Sequence, residues 1–306
     1  MSLMKNLQIN RYVDAIARTG SIRKASEQLS ITPSALNRRI LALEEELDIE
    51  IFERHSKGMR LNNAGKLLIE LFRNQLADVA HLQSQLAELS DMRVGNVSIV
   101  CSQALLPYFL PSQIKRYQNN FPGVTFDIKI GDGEKAAQSL LDFSADLALV
   151  FEPLKSLDSH TIVTVKQPIN AVMSKNHPLA KAHTLKFNQC HDYPLALPSQ
   201  PYAVRHMLEL AADSQSRKLQ PTVEAESYIF LRNFVMLQEN AISFEIQIGV
   251  PSDQLGENLI SVPLILPGVQ DGLLHLAQMR SRTLPLAAAR FADQLSTTFS
   301  EEFQII

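Results

Sequence analysis

Residues 21–47 constrain the fold more than any other part of the chain, because they predict two short helices joined by a tight turn. Ser21 is suited to begin the first helix, since its hydroxyl can accept a bond from the free backbone N–H groups there. Thr32 is suited to begin the second, with Pro33 at the first helical position, where a missing N–H removes no hydrogen bond. The second helix has its apolar residues on one face, at Leu36, Ile40, Leu43 and Leu47. Two such helices in close succession predict a helix-turn-helix.

A short hairpin and a long helix are predicted next. The apolar pair Ile51-Phe52 precedes a polar turn containing Gly58, which favours a two-stranded wing. Residues 63–90 contain one glycine and no proline, as expected of one long helix. Its heptad spacing predicts pairing with a second copy of the chain, and the alternative is a helix packed on its own domain. The predicted dimerisation residues are Leu68, Phe72, Val79, Leu82, Leu86 and Leu89, with Gln75 as the polar member of the stripe.

From residue 96 onward, short apolar strands alternate with helices. Strands are predicted over 97–100, 124–130, 147–151, 170–173, 195–197 and 241–244, and helices over 104–119, 133–143, 202–213, 227–238 and 285–299. This alternation predicts an α/β domain with a largely parallel sheet. Residues 163–169 and 262–269 are expected to cross between two lobes. The expected units are 1–62 for the helix-turn-helix and wing, 63–91 for the linker helix, and 92–306 for the α/β domain, with lobe I over about 92–165 and 268–306 and lobe II over about 166–267.

Composition and charge exclude several classes of protein. The chain has a formal net charge of −3, but residues 1–65 hold ten basic against eight acidic side chains, so phosphates suit this end better. Cys101 and Cys190 lie far apart and outside any metal-binding spacing, so buried, reduced thiols are expected, with neither metal nor cofactor. No apolar run is long enough for a bilayer and no secretory signal is evident, so we expect a cytoplasmic protein with no membrane contact.

Four stretches of the sequence closely resemble the LysR-type transcriptional regulators. They are residues 21–40 (SIRKASEQLSITPSALNRRI), 43–47 (LEEEL), 51–54 (IFER) and 61–65 (LNNAG), and their spacing matches the family without a gap. The resemblance continues in outline at Leu110-Pro111, Phe121-Pro122 and Asp146-Leu147-Ala148. It implies a winged helix-turn-helix, a linker helix and a two-lobed effector domain of the type 2 periplasmic-binding-protein kind. It further implies a homodimer or homotetramer that binds double-stranded DNA under the control of a small-molecule co-inducer, and RNA polymerase is left open as another partner.

The resemblance places the second helix of the motif in the major groove of DNA. Asn37 can pair with an adenine edge and Arg38 with guanine or a phosphate, whereas Arg39 is either a phosphate anchor or a surface charge. Arg54 and Lys57 form a cationic wing tip, and the acidic run 44–46 is interpreted as a solvated face. The candidate DNA-binding residues are Ser21, Arg23, Thr32, Pro33, Ser34, Asn37, Arg38, Arg39, Arg54 and Lys57, of which Ser21 and Thr32 also have capping roles.

The effector of a two-lobed domain lies in its cleft, near helix N-termini and strand ends. The candidate effector-binding residues at such places are Ser102, Gln103, Asp132, Phe151, Glu152, Ser199, Tyr202 and Ser227. Carboxylates at Asp132, Glu152, Glu226 and Glu245 favour an effector that is cationic or neutral, because negative charges in a closed cleft repel anions.

Three other classes of protein are weighed against a regulator. An enzyme is disfavoured because no nucleophile-elbow, dinucleotide-binding, phosphate-loop or paired His/carboxylate motif is present. A solute-binding protein shares the two-lobed fold but has no use for a helix-turn-helix. A DNA-binding protein whose second domain serves only for assembly stays open.

Overall fold

The computed structural model describes residues 3–55, 58–89, 94–151, 154, 158–200, 202–214, 218–251 and 255–306. The N-terminal unit consists of three helices, a two-stranded antiparallel wing and a long fourth helix. Its elements are α1 (Leu3–Thr19), α2 (Ile22–Gln28), α3 (Pro33–Leu47), β1 (Phe52–His55), β2 (Gly58–Leu61) and α4 (Asn63–Leu89).

The helix-turn-helix begins where the capping residues predict it. The Ser21 hydroxyl accepts a hydrogen bond from Lys24 N at 3.4 Å, and the Thr32 hydroxyl accepts one from Ala35 N at 3.3 Å. Pro33 is the first residue of α3, as predicted. Both N-caps are thus confirmed, and they determine where α2 and α3 start.

The core of this unit includes residues from the helices and the wing. Val13 and Ile16 of α1, Leu36 of α3 and Ile51 before the wing are fully buried. Phe72 of α4 packs in the same cluster, so the first turns of the long helix belong to the N-terminal unit.

Lobe I of the C-terminal domain is formed from both ends of that domain. Its first part contains β3 (Val94–Cys101), a 3₁₀ turn (Gln103–Leu105), α5 (Phe109–Asn120), β4 (Gly123–Ile130), α6 (Gly133–Leu141), β5 (Leu147–Val150) and β6 (Ser159–Gln167). Lobe II contains β7 (Ile169–Ser174), β8 (Leu185–Lys186), α7 (Phe187–Cys190), β9 (Leu195–Pro198), α8 (Ala203–Ser214), β10 (Pro221–Ala225), α9 (Tyr228–Leu237), β11 (Ile242–Ile246), a 3₁₀ turn (Gln247–Gly249) and β12 (Leu259–Ile265). The chain returns to lobe I with β13 (Gly272–Met279) and α10 (Leu286–Glu302).

The two sheets are mixed and less parallel than predicted, since five of their nine strand pairs within the described residues are parallel and four are antiparallel. The strand orders are β4-β3-β5-β13-β6 in lobe I and β10-β9-β11-β7-β12-β8 in lobe II. Every antiparallel pair contains β7 or β13, the strands that follow the two passages between lobes, at Pro168 and between Ile265 and Gly272. The chain enters each sheet from the other lobe there, so its direction is not set by a strand–helix–strand crossover.

At the junction between the wing and α4, backbone atoms of the two elements pack closely against each other. The Asn62 side chain accepts a hydrogen bond from Gly65 N at 2.8 Å and donates one to Glu50 O at 2.7 Å. A Cβ on Gly65 would lie 2.2 Å from the carbonyl oxygen of Ile51. At the other end of the wing, Gly58 has a φ of 124°, and a Cβ there would lie 2.4 Å from Gly20 O.

We expect Gly65→Ala to destabilise the N-terminal unit by about 2 kcal/mol, because a backbone carbonyl occupies the space that the methyl group needs. Thermal unfolding followed by circular dichroism measures the effect. Lys66→Ala, an exposed change in the same helix turn, is the control and should leave Tm nearly unchanged. Equal Tm values for Gly65→Ala and wild type would contradict this packing.

Candidate functional site

The N-terminal half of α3 presents a polar surface to solvent. Leu36 and Ile40 point into the core, while Pro33, Ser34 and Arg38 are exposed. Asn37 is half-buried and lines a shallow depression with Glu53 and His55 of the wing. Residues of α3 and of the wing therefore line one common surface depression.

Other predicted contact residues already have structural partners. Arg39 donates to the Tyr12 hydroxyl at 2.8 Å and lies over the Tyr12 ring, 5.1 Å from its centroid. Arg23 forms an exposed ion pair with Glu27 at 3.3 Å. Ser21 and Thr32 serve as the N-caps described above. Lys57 and the side chain of Arg54 lie outside what the structure describes, whereas Lys24 and Arg60 are exposed cations that the sequence pattern did not single out.

Glu44 corrects the interpretation of the acidic run as a solvated face. Its carboxylate accepts hydrogen bonds from the backbone N–H groups of Ile51, at 2.7 Å, and Phe52, at 3.3 Å. Glu44 therefore attaches the end of α3 to the start of the wing, and a charge-assisted bond of this kind is stronger than a neutral one.

The predicted dimerisation stripe divides into two parts. Leu68 and Phe72 pack against the core of their own N-terminal unit, and Gln75 accepts a hydrogen bond from Asn10 of α1 at 2.7 Å. Val79 is half-buried and Leu82 is 52% exposed, while the side chains of Leu86 and Leu89 lie outside the described part. The same helix also exposes Leu67 by 74% and Leu71 by 52%, which the heptad pattern did not indicate.

Arg73 connects α4 to both neighbouring units. Its Nε donates to the Asp14 carboxylate of α1 at 2.8 Å, and its Nη1 donates to Leu141 O at the end of α6 at 3.3 Å. Asp14 is 8% exposed and also pairs with Arg18 at 2.7 Å. One side chain of the linker helix thus contacts the N-terminal unit and lobe I together.

The loop after α6 is held by a second arginine. Arg282 pairs with Asp146 at 2.6 Å and lies over the Phe143 ring, 4.7 Å from its centroid. Asp146 also accepts a hydrogen bond from Ser98 N at 2.8 Å. Burial lowers the pKa of Arg282, and the positive charge of Arg18 lowers it further, so α1 lies within electrostatic reach of this loop.

A cavity of about 610 Å³ lies between the two lobes. Lobe I contributes the ends of β3, β4 and β5 with the start of α6, and lobe II contributes the starts of α8 and α9. The described lining residues are Ser102, Ile130, Gly131, Asp132, Gly133, Glu134, Lys135, Phe151, Gln200, Tyr202, Ala203, Val204, Glu226, Tyr228 and Ile246. The cavity therefore lies at the strand ends where the sequence pattern places an effector.

Four of the eight predicted pocket residues line this cavity, namely Ser102, Asp132, Phe151 and Tyr202. Gln103 adjoins it and joins the lobes, because its amide donates to Glu226 O across the cleft. Ser227 instead caps α9, accepting a bond from Phe230 N at 3.3 Å, and Ser199 belongs to the turn before α8. Glu152 lies outside the described residues.

Two buried hydroxyls face the cavity. Ser102 and Tyr228 are each only 4% exposed, and the Ser102 hydroxyl does not cap the turn that follows it. Burial raises the pKa of Tyr228 well above its usual value, with further contributions from Glu245 and Asp132, so this phenol stays protonated near neutral pH. Buried hydroxyl groups normally have a hydrogen-bond partner, and a ligand or water molecule in the cavity would supply one.

Glu245 does not belong to the cavity lining, contrary to its place among the predicted cleft carboxylates. It is fully buried and forms a two-bond ion pair with Arg232, at 2.8 and 2.6 Å. Arg232 also donates to Gly249 O at 2.6 Å and lies 5.2 Å from the centroid of the Tyr108 ring. This pair compensates the charge of Glu245 inside lobe II.

The two cysteines lie in the core of the C-terminal domain. Cys101 and Cys190 are free and buried, as predicted, and burial raises the pKa of each thiol to about 12, which keeps both protonated. No group of three His, Cys, Asp or Glu side chains within the described ranges could hold a metal ion. No helix among the described residues is long and apolar enough to span a membrane.

An N-terminal winged helix-turn-helix followed by a two-lobed α/β domain with an interlobe cavity defines a ligand-responsive DNA-binding regulator. Residues 7–66 match the family model described as a bacterial regulatory helix-turn-helix protein of the lysR family, and residues 90–300 match the LysR substrate binding domain. The chain belongs to the LysR family of transcriptional regulators. It is a DNA-binding transcriptional regulator with a C-terminal effector-binding domain.

Comparison with known proteins agrees with this assignment. The chain is 24% identical to the HTH-type transcriptional activator CmpR of Synechocystis sp., with 73% of this chain and 74% of CmpR covered. It is 26% identical to the probable RuBisCO transcriptional regulator of Cyanophora paradoxa, with 97% and 90% covered. Among solved structures, full-length OxyR from Pseudomonas aeruginosa matches in fold with a TM-score of 0.72 at 19% identity, with 96% and 94% covered.

Proposed function

We propose that the chain recognises its DNA site through the exposed half of α3 and the adjoining wing. The polar, exposed face formed by Ser34 and Arg38, with Asn37 beside the wing, supports this most directly. Asn37 and Arg38 would read base edges, because amide and guanidinium groups match adenine and guanine in the major groove. Arg23, Arg54 and Lys57 would contact phosphates, whereas Arg39 would orient α3 through Tyr12. Acting on DNA, the protein would work in the cytoplasm, and RNA polymerase is a further proposed partner.

Asn37→Ala combined with Arg38→Ala should weaken binding to the site by about 2 kcal/mol or more, since two base contacts are lost. The site is first selected from genomic fragments with the full-length protein, and affinity is then measured at fixed salt. Lys115→Ala, which removes an exposed charge on α5, is the matched control and should bind like wild type. Unchanged affinity and sequence preference in the double variant would contradict this use of α3.

We propose that the cavity and the DNA-binding unit are coupled through α6. This helix begins with Gly133, Glu134 and Lys135 in the cavity wall and ends at Leu141, whose carbonyl accepts the Arg73 bond. Nine residues span about 13 Å, so a shift at the cavity would be carried rigidly to the linker helix. By reciprocity of binding free energies, DNA should likewise affect the cavity end of α6.

Arg73→Lys should uncouple the two units, because lysine retains a charge near Asp14 but carries all its donors on one nitrogen, which cannot replace both Nε and Nη1 of Arg73. Hydrogen exchange of residues 132–135 is measured with and without the selected duplex. We expect DNA to change this exchange in wild type and in the control Arg18→Lys, but not in Arg73→Lys. If the response to DNA survives in Arg73→Lys, the coupling does not run through this bond.

We propose that α4 also mediates self-association, through a stripe adjacent to the predicted one. At about 100° per residue, Leu67, Leu71 and Leu82 lie within an arc of about 60° on the helix. All three are more than half exposed, and such a stripe is typical of a helix that packs on another. A second exposed apolar surface on α9, formed by Ile229, Phe230 and Leu237, would support a tetramer.

Leu71→Ser combined with Leu82→Ser should convert the assembly to smaller species, measured by light scattering after size-exclusion chromatography. Both side chains are 52% exposed and lie outside the buried core, so the fold should be retained. Leu210→Ser, which alters an exposed leucine on α8, is the control and should leave the mass unchanged. An unaltered mass in the double variant would exclude this stripe as the contact.

A further inference from the structure

The described lining of the interlobe cavity carries more acidic than basic side chains. Three carboxylates line it, those of Asp132, Glu134 and Glu226, and Lys135 is the only basic residue among its described lining. Asp132 belongs to lobe I and Glu226 to lobe II, so like charges face the cavity from both sides. Carboxylates outnumber basic groups by three to one in this described lining, which disfavours an anion.

The helix N-termini at the cavity do not reverse this preference. Helix N-termini normally attract anions. Here the chain's own carboxylates already occupy these positions, because Asp132 is the N-cap of α6, Glu134 lies in its first turn and Glu226 directly precedes the N-cap of α9. The positive ends of these helices therefore stabilise the chain's own carboxylates rather than those of a ligand.

Aromatic and hydroxyl groups complete the lining. Phe151, Tyr202 and Tyr228 all contact the cavity, and the Tyr202 and Tyr228 rings lie 5.9 Å apart. Aromatic faces attract cations and cover carbon chains. The hydroxyls of Ser102 and Tyr228, two deeply buried residues of the lining, can accept hydrogen bonds from an ammonium group. Burial and the charges of Glu226 and Asp132 raise the pKa of Tyr202, so both carboxylates act on the same part of the cavity.

We infer that the cavity binds an organic cation, with a protonated amine between Asp132 and Glu226 and its carbon skeleton against Phe151 and Tyr202. This inference rests on the proposed effector role of the cavity and names its ligand class. A cation between carboxylates of opposite lobes removes their repulsion and so binds the closed cleft more tightly than the open one. That difference in affinity is what a ligand needs to shift a conformational equilibrium.

The test uses full-length protein without DNA and a matched set of probes. Calorimetric binding and thermal shift are measured with butylamine, phenethylamine and diaminobutane, each beside the carboxylate and the alcohol of the same skeleton. We expect amines to bind and stabilise, and the matched carboxylates not to. Stabilisation by carboxylates, or no amine-specific binding, overturns the inference.

Two variants test whether amine binding depends on the carboxylates of Asp132 and Glu226. Asp132→Asn and Glu226→Gln keep the shape of each side chain and remove only its charge, and asparagine is as well suited as aspartate to the N-cap position, so both should fold. Each should weaken amine binding about tenfold, as expected for loss of a hydrogen bond between charged groups. Glu301→Gln, an exposed change on α10, is the charge-matched control and should bind like wild type. Equal amine affinity in all three variants overturns the inference.

A second experiment distinguishes failure of the proposed ligand class from failure of the proposed effector role. Affinity for the selected duplex is measured with and without each probe. If a carboxylate changes DNA affinity and no amine does, the effector role holds and the cationic ligand class is wrong. If amines bind the cavity but leave both DNA affinity and the exchange of α6 unchanged, the ligand class holds and the coupling through α6 is wrong.

Discussion

The buried carboxylate of Asp14 holds together the parts of this protein that function requires. It forms ion pairs with Arg18 of its own helix and with Arg73 of α4, and it is nearly buried. Loss of the Asp14 carboxylate would leave the largely buried Arg73 without its counter-charge, which is far more costly than losing a surface ion pair. The direction in which α4 leaves the N-terminal unit is fixed by this contact and by the Asn10–Gln75 bond beside it. The position of lobe I next to α1 depends on the same helix.

Local chemistry explains which parts of the fold the sequence predicts well. The caps at Ser21 and Thr32 and the proline after the second cap are visible in the sequence because they act within three residues of themselves. The strand–helix alternation is equally local, and most predicted elements are found with only small shifts at their ends. The mixed direction of the sheets is not local, since it depends on how the chain re-enters each lobe. For the same reason, the heptad stripe could not separate residues that pack on their own unit, such as Phe72, from exposed ones such as Leu71.

The residues of the cavity also divide into those that local sequence patterns predict and those that depend on the fold. Ser102, Asp132 and Tyr202 were predicted because polar residues after strands and before helices converge on a cleft. Tyr228 was missed because it opens the apolar run of α9 and is indistinguishable there from a core residue. Glu245 was misassigned because its partner Arg232 lies on a different element, and a buried ion pair between elements leaves no periodic signal. Glu44 escaped notice among three successive glutamates because only the fold brings the wing's free N–H groups to it.

The contact of the wing with α1 has an evolutionary consequence. Gly58 lies against Gly20 through backbone atoms alone, with Met59 N donating to Gly20 O at 2.9 Å. This contact uses main-chain atoms, whereas Glu44 and the buried Phe52 hold the start of the wing through side chains. With a φ of 124° and a carbonyl oxygen where a Cβ would lie, position 58 has no room for any other residue. A descendant of this sequence could replace Gly58 only by moving the wing away from Gly20, so inheritance of the fold depends on a position that has no side chain.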